Sequence, residues 1–494
     1  MDMNVSRRAL LGGVSALGLA GCAGMTPSAS ASADALGDLD GVGVAARIRA
    51  REITANEALE AAIARAERIQ PRINFMATAA YEYGRARASA NPQGPLGGVP
   101  TLIKDLMNVT GVATMFGSRA YRAHVAASQT PYMDSVLAGG LVPFGKTTTP
   151  EFGFTATTEP LLTGITRNPW NPEHSSGGSS GGAAAAVAAG VAPLAHASDG
   201  GGSIRIPASC CGLVGLKPSR RRYAQSGDEN EPHSISVNGC VSRTVRDTAA
   251  WMAVTERTVS PVYPPIGLVS GPSTRRLRIG LAIPSALGEA PHAEVAAATE
   301  SVAELCRTLG HSVRETRMNF NGQAFNDAFT LYWASGAAQT VAQIARENPG
   351  VALDTLVEPL TLYLTRAYQA APNGALQNAL RVLAETEARY GEMFADMDVL
   401  LTPTLARPPA RLGEFAPTNP DAFAQIATYV AYTPLQNAAG APSISLPLAM
   451  SSDNLPIGLM FSAAKGDDRT LIELAYELEA AQPWIGRHAP IWAG

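Results

Sequence analysis

Leu277-Arg278-Ile279-Gly280-Leu281-Ala282-Ile283 reads as a β-strand, with β-forming aliphatics at every second position. A helical stretch follows from about His292 to Leu309 and stops at Gly310, and a second, short strand lies near Ser312-Val313. Strand, helix and strand in that order make a βαβ unit, whose sheet must be covered by helices to bury its faces. The fold class is therefore α/β, an α/β/α sandwich. Near the other end of the chain, Thr54-Ala55-Asn56-Glu57 forms a capping box that opens a helix to about residue 69. Leu59, Ile63 and Ile69 share a face of it with neighbouring alanines.

Between these elements lie two glycine-rich runs, each with a serine: Gly177-Gly178-Ser179-Ser180-Gly181-Gly182 and Asp199-Gly200-Gly201-Gly202-Ser203-Ile204-Arg205. Composition alone fits a flexible linker equally well. The flanks do not. Gly181-Gly182 runs into Ala183-Ala184-Ala185-Ala186-Val187-Ala188-Ala189, a segment of high helix propensity, and the second run leads to the apolar Leu213-Val214-Gly215-Leu216. Glycines let the backbone turn tightly and approach a ligand with no Cβ in the way, so the two runs present hydroxyls and bare amides together. Serine acyl transfer uses both. Upstream, Gly98-Val99-Pro100-Thr101-Leu102-Ile103-Lys104 supplies a lysine.

These motifs, followed by Cys211-Gly212-Leu213-Val214-Gly215-Leu216-Lys217-Pro218, resemble the amidase signature family of hydrolases. The likeness extends to Gly145 through Glu151, Thr166 through Trp170, Asp398 through Thr404, and Gly440-Ala441-Pro442 through Leu455-Pro456-Ile457-Gly458, covering about residues 40 to 490 in order. The resemblance implies a mixed central sheet and a catalytic triad of Lys104, Ser179 and Ser203, with Ser203 as nucleophile and Ser179 as the bridging serine behind a cis peptide bond. It places the oxyanion hole on the backbone amides of Gly200, Gly201, Gly202 and Ser203, where aimed N–H donors meet a carbonyl oxygen as it becomes negative.

The chemistry is consistent. A serine hydroxyl needs a base, and a lysine at its ordinary pKa of about 10.4 is protonated at neutral pH. Burial lowers that pKa, and neutral Lys104 then takes the proton of Ser203 through Ser179. Asp199 and Arg205 flank the nucleophile and are read as fixing the glycine loop by charge-assisted hydrogen bonds, and Ser180 as a support for Ser179. None of the seven histidines falls in a metal-binding pattern, and His174 and His196 are read as structural. No metal and no cofactor is expected.

The whole-chain pattern is most similar to the branch containing 6-aminohexanoate cyclic dimer hydrolases, through Thr157-Thr158-Glu159-Pro160, Ala195-His196, Met450-Ser451-Ser452-Asp453 and Gln482-Pro483-Trp484. Family members cleave fatty, aryl and small primary amides, carbamates and glutaminyl groups on transfer RNA, so the triad names a reaction and not a molecule. Near the site, Ser176, Ser198 and Cys210 depart from the family's usual residues, as does the loop from Arg220-Arg221-Arg222-Tyr223 to Pro232-His233. The three arginines are read as a solvated face, with recognition of an acidic substrate group as the alternative. Phe320, Phe325, Phe329, Tyr332, Trp333 and Tyr363 are candidates for the acyl side of the pocket, or are simply core.

Ser6-Arg7-Arg8-Ala9-Leu10-Leu11 is a twin-arginine export pattern, followed by an apolar stretch too short to span a bilayer. Leu19-Ala20-Gly21-Cys22 looks like a lipoprotein cleavage site with Cys22 lipidated, the alternative being a plain signal peptide cut among the alanines of residues 28–33. The expected organisation is a signal segment at 1–22, a flexible tether at 23–40 and one amidase domain at 41–494, exported to the periplasm and touching a membrane only through its N-terminal lipid. Cys210, Cys211, Cys240 and Cys306 read as thiols; export permits a bridge at Cys240 or Cys306 without requiring one.

With 46% hydrophobic residues, 16% charged and a net charge of −4, the chain can bury a large core and lacks the basic footprint of a nucleic-acid binder. The motifs are spread along the chain from about residue 40 to 490 without an internal linker or repeat, which favours one large domain. The leading expectation is an exported hydrolase of a small oligoamide, anilide or carbamate. A transfer-RNA-dependent amidotransferase subunit fits poorly with export, and a silent binding lipoprotein fits poorly with Lys104, Ser179, Ser203 and all the glycines present together. The expected partner is a small-molecule amide; the oligomeric state is left open, a homodimer included.

Overall fold

The βαβ unit at 278–315 is present: strands Arg278–Leu281 and Ser312–Glu315 pair in parallel, and the helix Ala293–Thr308 crosses between them. The computed structural model describes residues 34–223, 234–419 and 421–494. Arg7, Arg8 and Cys22, most of the expected tether, and the loop that ends at Pro232-His233 lie outside the described residues.

Among the described residues eleven strands form one mixed sheet: β1 Met76–Ala79, β2 Pro100–Lys104, β3 Val142–Thr147, β4 Leu194–Asp199, β5 Val214–Lys217, β6 Val237–Ser242, β7 Arg278–Leu281, β8 Ser312–Glu315, β9 Val399–Pro403, β10 Ser443–Met450 and β11 Pro456–Ala463. Their spatial order is β1-β3-β2-β4-β6-β5-β10-β11-β9-β7-β8. β2 runs parallel to both β3 and β4, and β7 to both β8 and β9, whereas the middle of the sheet from β4 to β9 is antiparallel. Every residue of β2, β3, β5, β9 and β11 is buried, as strands covered on both faces must be.

The register places the site. Leu102 of β2 pairs with Ala195 of β4, so the two parallel strands end side by side, β2 at Lys104 and β4 at Ser198-Asp199. Ligands in α/β sheets collect beyond the carboxyl ends of such strands, where the connections diverge. The helix Gly181–Ala188, made almost wholly of small residues, is buried along its length, which lets it lie close against β4 and the helix Arg205–Cys211.

Two expected boundaries shift. The helix opened by the Thr54–Glu57 capping box runs to Ile73 rather than 69. Pro71 is accommodated in its last turn, and the end comes at Asn74 in the left-handed conformation, with Gln70 Oε1 accepting the amides of Phe75 and Met76. The compact unit starts before residue 41: it begins at Ala35, Leu36 is buried, and Asp40 caps the helix Gly41–Arg49 by accepting the Gly43 amide. Cys210, Cys211, Cys240 and Cys306 are free buried thiols.

Candidate active site

Lys104, the last residue of β2, is fully buried. Its Nζ lies 2.8 Å from Ser179 Oγ, 3.1 Å from Ser198 Oγ and 3.3 Å from the Ser198 carbonyl. Burial pulls the lysine pKa down to about 7 against the opposing pull of Asp199, so a large neutral fraction exists near pH 7. Ser179 follows a cis peptide bond from Gly178. His196 sits behind the lysine: its Nδ1 accepts the Lys104 amide at 3.3 Å, and its Nε2, carrying the proton, faces Asn238 Oδ1 at 3.1 Å. Burial holds that imidazole neutral with a pKa of about 3, which leaves it a strand brace and not a base.

Asp199 organises the nucleophile loop. Arg205 grips it with two bonds, Nε to Oδ2 at 2.9 Å and Nη2 to Oδ1 at 3.0 Å, and both side chains are completely buried. Arg205 also donates to Gln436 Oε1 at 3.0 Å and Asn437 Oδ1 at 2.6 Å. Asn437 Nδ2 in turn donates to the Asp199 carbonyl at 2.9 Å. Burial alone would raise the Asp199 carboxyl, but Arg205 holds it well below the usual carboxylate range. The carboxylate accepts the amides of Gly202 at 2.7 Å and Ile204 at 3.1 Å, bracketing Ser203 from both sides.

That arrangement corrects one expectation. The Gly202 N–H is held by Asp199 Oδ1 and is not turned to the cavity, so of the four amides assigned to an oxyanion hole those of Gly200, Gly201 and Ser203 remain. Gly202 has φ +129°, and a Cβ there would collide with Thr433 Oγ1, whose hydroxyl donates to the Gly201 carbonyl at 2.8 Å. Ser180 differs as well: its hydroxyl bonds the Ser198 carbonyl at 3.2 Å and accepts the Ser198 amide at 3.3 Å, so it steadies the residue beside Lys104 rather than Ser179.

Two cavities meet at Ser203. One is lined by Phe154, Phe325, Phe329, Trp333, Phe423, Ile426 and Val430 among others, with no charged residue on its wall among the described residues. The other is lined by Ser179, Ser198, Gly200, Ser236, Tyr332, Trp333, Ser335 and Gln339 and is the more polar of the two. Phe329 and Trp333 stack at 5.9 Å, and their rings face the positions that a Cβ on Gly201 or Gly200 would occupy. Among the aromatic candidates Phe325, Phe329, Tyr332 and Trp333 line these cavities. Phe320 packs behind Phe325, and Tyr363 is exposed against Phe423. Among the described residues no three His, Cys, Asp or Glu side chains come together as a metal site requires.

The pattern of the Amidase family matches residues 57–472 of this chain. The chain belongs to the amidase signature family. Curated relatives of this amidase signature chain include a Mycobacterium tuberculosis protein named "Putative amidase AmiC", 43% identical over 463 residues that span 92% of this chain and 97% of its own. The 6-aminohexanoate-cyclic-dimer hydrolase of Paenarthrobacter ureafaciens is 34% identical over 484 residues, 91% of this chain and 96% of its own. Among solved structures, 6-aminohexanoate cyclic dimer hydrolase complexed with substrate superposes with TM-score 0.85 at 31% identity, covering 92% of this chain and 99% of that one. A bacterial aryl acylamidase of the same family gives 0.80 at 26% identity, covering 91% and 99%. The protein is thus an amide hydrolase of the amidase signature family, built as one α/β domain on a mixed sheet flanked by helices.

Within this amidase signature chain two of the three consecutive arginines, Arg220 and Arg222, are buried structural groups and not a solvated face, while Arg221 between them is half-buried. Arg222 is buried between Glu256 at 3.1 Å and Asp468 at 3.0 Å, with its guanidinium 4.9 Å above the Tyr263 ring. Arg220 is likewise buried and pairs with Glu387 at 3.2 Å and the Ala438 carbonyl at 2.6 Å. Both partner sets come from far along the chain, which no local reading reveals. Ser198, Thr433, Gln436 and Asn437 are site residues the motifs did not single out. Of these only Ser198 carries a signal in the sequence, as a departure from the family's usual residue beside the nucleophile loop.

Proposed function

We propose that Ser203 Oγ attacks the carbonyl carbon of an uncharged amide, with Lys104 and Ser179 relaying protons. The observation that carries this reading is the 2.8 Å contact of a buried lysine, whose pKa lies near 7, with Ser179, which shares a cavity wall with Ser203. As the Ser203 O–C bond forms, its proton passes to Ser179 Oγ, and the Ser179 proton passes to Lys104 Nζ. The carbonyl oxygen, now negative, accepts hydrogen bonds from the amides of Gly200, Gly201 and Ser203. Collapse breaks the C–N bond, the relayed proton goes to the leaving amine, and an acyl ester remains on Ser203. Water attacks that ester through the same relay, releasing a carboxylic acid and the free serine.

The acyl group occupies the aromatic cavity, since a wall without charged groups favours apolar surface and penalises an unpaired ion. The amine portion lies in the more polar cavity. These preferences support a small oligoamide, an anilide or a carbamate as substrate. Wild-type protein from residue 35 onward, incubated with cyclic and linear oligoamides, anilides, carbamates and primary amides, is expected to cleave apolar-acyl members, with Ser203→Ala inactive by mass spectrometry. Equal turnover by the variant would remove Ser203 from the mechanism; no turnover by well-folded wild type would favour a binding role.

We further propose that the enzyme is exported and lipid-anchored at Cys22. Support comes from the twin-arginine pattern at Ser6-Arg7-Arg8 and the Leu19-Ala20-Gly21-Cys22 site. Cells producing the full chain with Arg7→Lys and Arg8→Lys are expected to retain it in the cytoplasmic fraction. Undiminished export of that variant argues against this route.

A further inference from the structure

The polar cavity does not end at the catalytic serines. Phe152, Phe154, Gly336 and Gln339 line both it and a shallow groove that continues past Thr340 and Gln343 to Arg346. Trp333, Gly336, Gln339, Thr340, Gln343 and Arg346 all belong to the helix Gly322–Glu347, at the three- and four-residue spacing that places side chains in one stripe. At about 1.5 Å of rise per residue, the stripe from Trp333 to Arg346 is about 20 Å long. Its middle is open, for a Cβ on Gly336 would meet nothing within 4 Å.

Hydrogen bonding within the helix leaves two polar groups for a ligand. Thr340 donates to the Gly336 carbonyl at 3.0 Å. Gln343 donates to Glu347 Oε1 at 2.8 Å, and Tyr121 donates to Glu347 Oε2 at 3.2 Å, so both oxygens of the adjoining Glu347 carboxylate are already engaged. Among the described residues the exposed Gln339 amide has no hydrogen-bond partner, and the exposed Arg346 has no ion-pair partner. The acyl cavity, by contrast, has no cation on its wall among the described residues.

We propose that the leaving amine of the substrate is a linear chain that lies along this stripe, with a second amide group on Gln339 and a terminal carboxylate on Arg346. The inference rests on the hydrolase reading and narrows its substrate class to acid-terminated linear oligoamides. Cleavage balances as one C–N bond hydrolysed by one water, R–CO–NH–R′–COO⁻ giving R–COO⁻ and ⁺H₃N–R′–COO⁻. An acid terminus on the acyl side would be buried without a partner, which is costly; on the leaving side it meets a guanidinium that binds carboxylates with two parallel bonds.

The test uses three amides of one apolar acyl group: an anilide, and two oligoamides whose leaving chain carries one further amide and ends either in a free carboxylate or in its methylamide. Wild type is expected to prefer the carboxylate over the methylamide by about five- to tenfold in kcat/KM, mainly through KM, and less so at high salt. Arg346→Glu is expected to abolish or invert that preference while leaving anilide turnover unchanged, and Arg346→Lys to retain part of it. Equal use of the two oligoamides by wild type, or an undiminished preference in Arg346→Glu, overturns the proposal while the hydrolase reading stands. Failure of wild type to cleave even the anilide overturns both.

Discussion

Replacing Lys104 with methionine is expected to lower kcat for amide hydrolysis by about 10⁴-fold, the scale of losing a base that acts as one unit with its nucleophile. The neutral amine is the working form. With the pKa drawn to about 7 by burial, wild-type kcat/KM rises with pH through about 7 and levels off above it, because deprotonation supplies the base. Residual turnover by Lys104→Met is expected to lack that limb. The substitution moves stability the other way. Unfolded lysine keeps its proton to about pH 10.5, so between pH 7 and 10.5 the unfolded chain binds more protons, and folding pays for a buried amine that is neutral. Methionine removes that penalty and fills similar space, so the melting temperature of Lys104→Met at pH 7.5 is expected to equal or exceed that of wild type. A steady-state pH profile beside a thermal melt reads both effects; full turnover by the variant would refute the relay.

Asp199→Ala is expected to be the most damaging single change to the folded state. It leaves the Arg205 guanidinium wholly buried with only the neutral Gln436 and Asn437 side chains and the Met460 sulfur as partners. Breaking one side of a buried ion pair costs about 3 to 5 kcal/mol. The same substitution frees the amides of Gly202 and Ile204 and with them the loop that presents Ser203. Asp199→Asn keeps an acceptor for one of those amides but not the charge, and should fall between wild type and alanine. Urea midpoints for the three proteins order the effect. A midpoint for Asp199→Ala equal to that of wild type would contradict the structural role assigned to this pair.

Local chemistry was legible in the sequence where it depends on neighbours in the chain. The βαβ unit at 278–315, the Thr54–Glu57 cap, the glycine runs and the alanine helix Gly181–Ala188 all declare themselves within a few residues. Asp199 and Arg205 stand six positions apart and pair as their chemistry demands. What the sequence hid is long-range. Arg222 reaches Asp468, 246 residues away, and Asn437 reaches Asp199, 238 residues away, so Arg222, in a run that looks like surface, is a buried clasp. The role of the Gly202 amide is hidden in the same way, because only three-dimensional geometry shows which of several consecutive N–H groups a carboxylate has taken. The cavity walls stayed ambiguous for a related reason: on the helix Gly322–Glu347 the side chains of Phe325, Phe329 and Trp333 serve as packing and as pocket at once, and periodicity does not separate the two.

The central claim is that amide cleavage passes through an ester on Ser203 formed with the help of Lys104. The most direct measurement is a rapid acid quench of the enzyme during turnover of an activated apolar anilide, followed by proteolysis and peptide mass mapping. The account predicts an acyl adduct confined to the peptide carrying Ser203, absent from Ser203→Ala and strongly reduced in Lys104→Met. Undiminished turnover by Ser203→Ala, or an adduct on Ser179 or elsewhere with Ser203 unmodified, would contradict it.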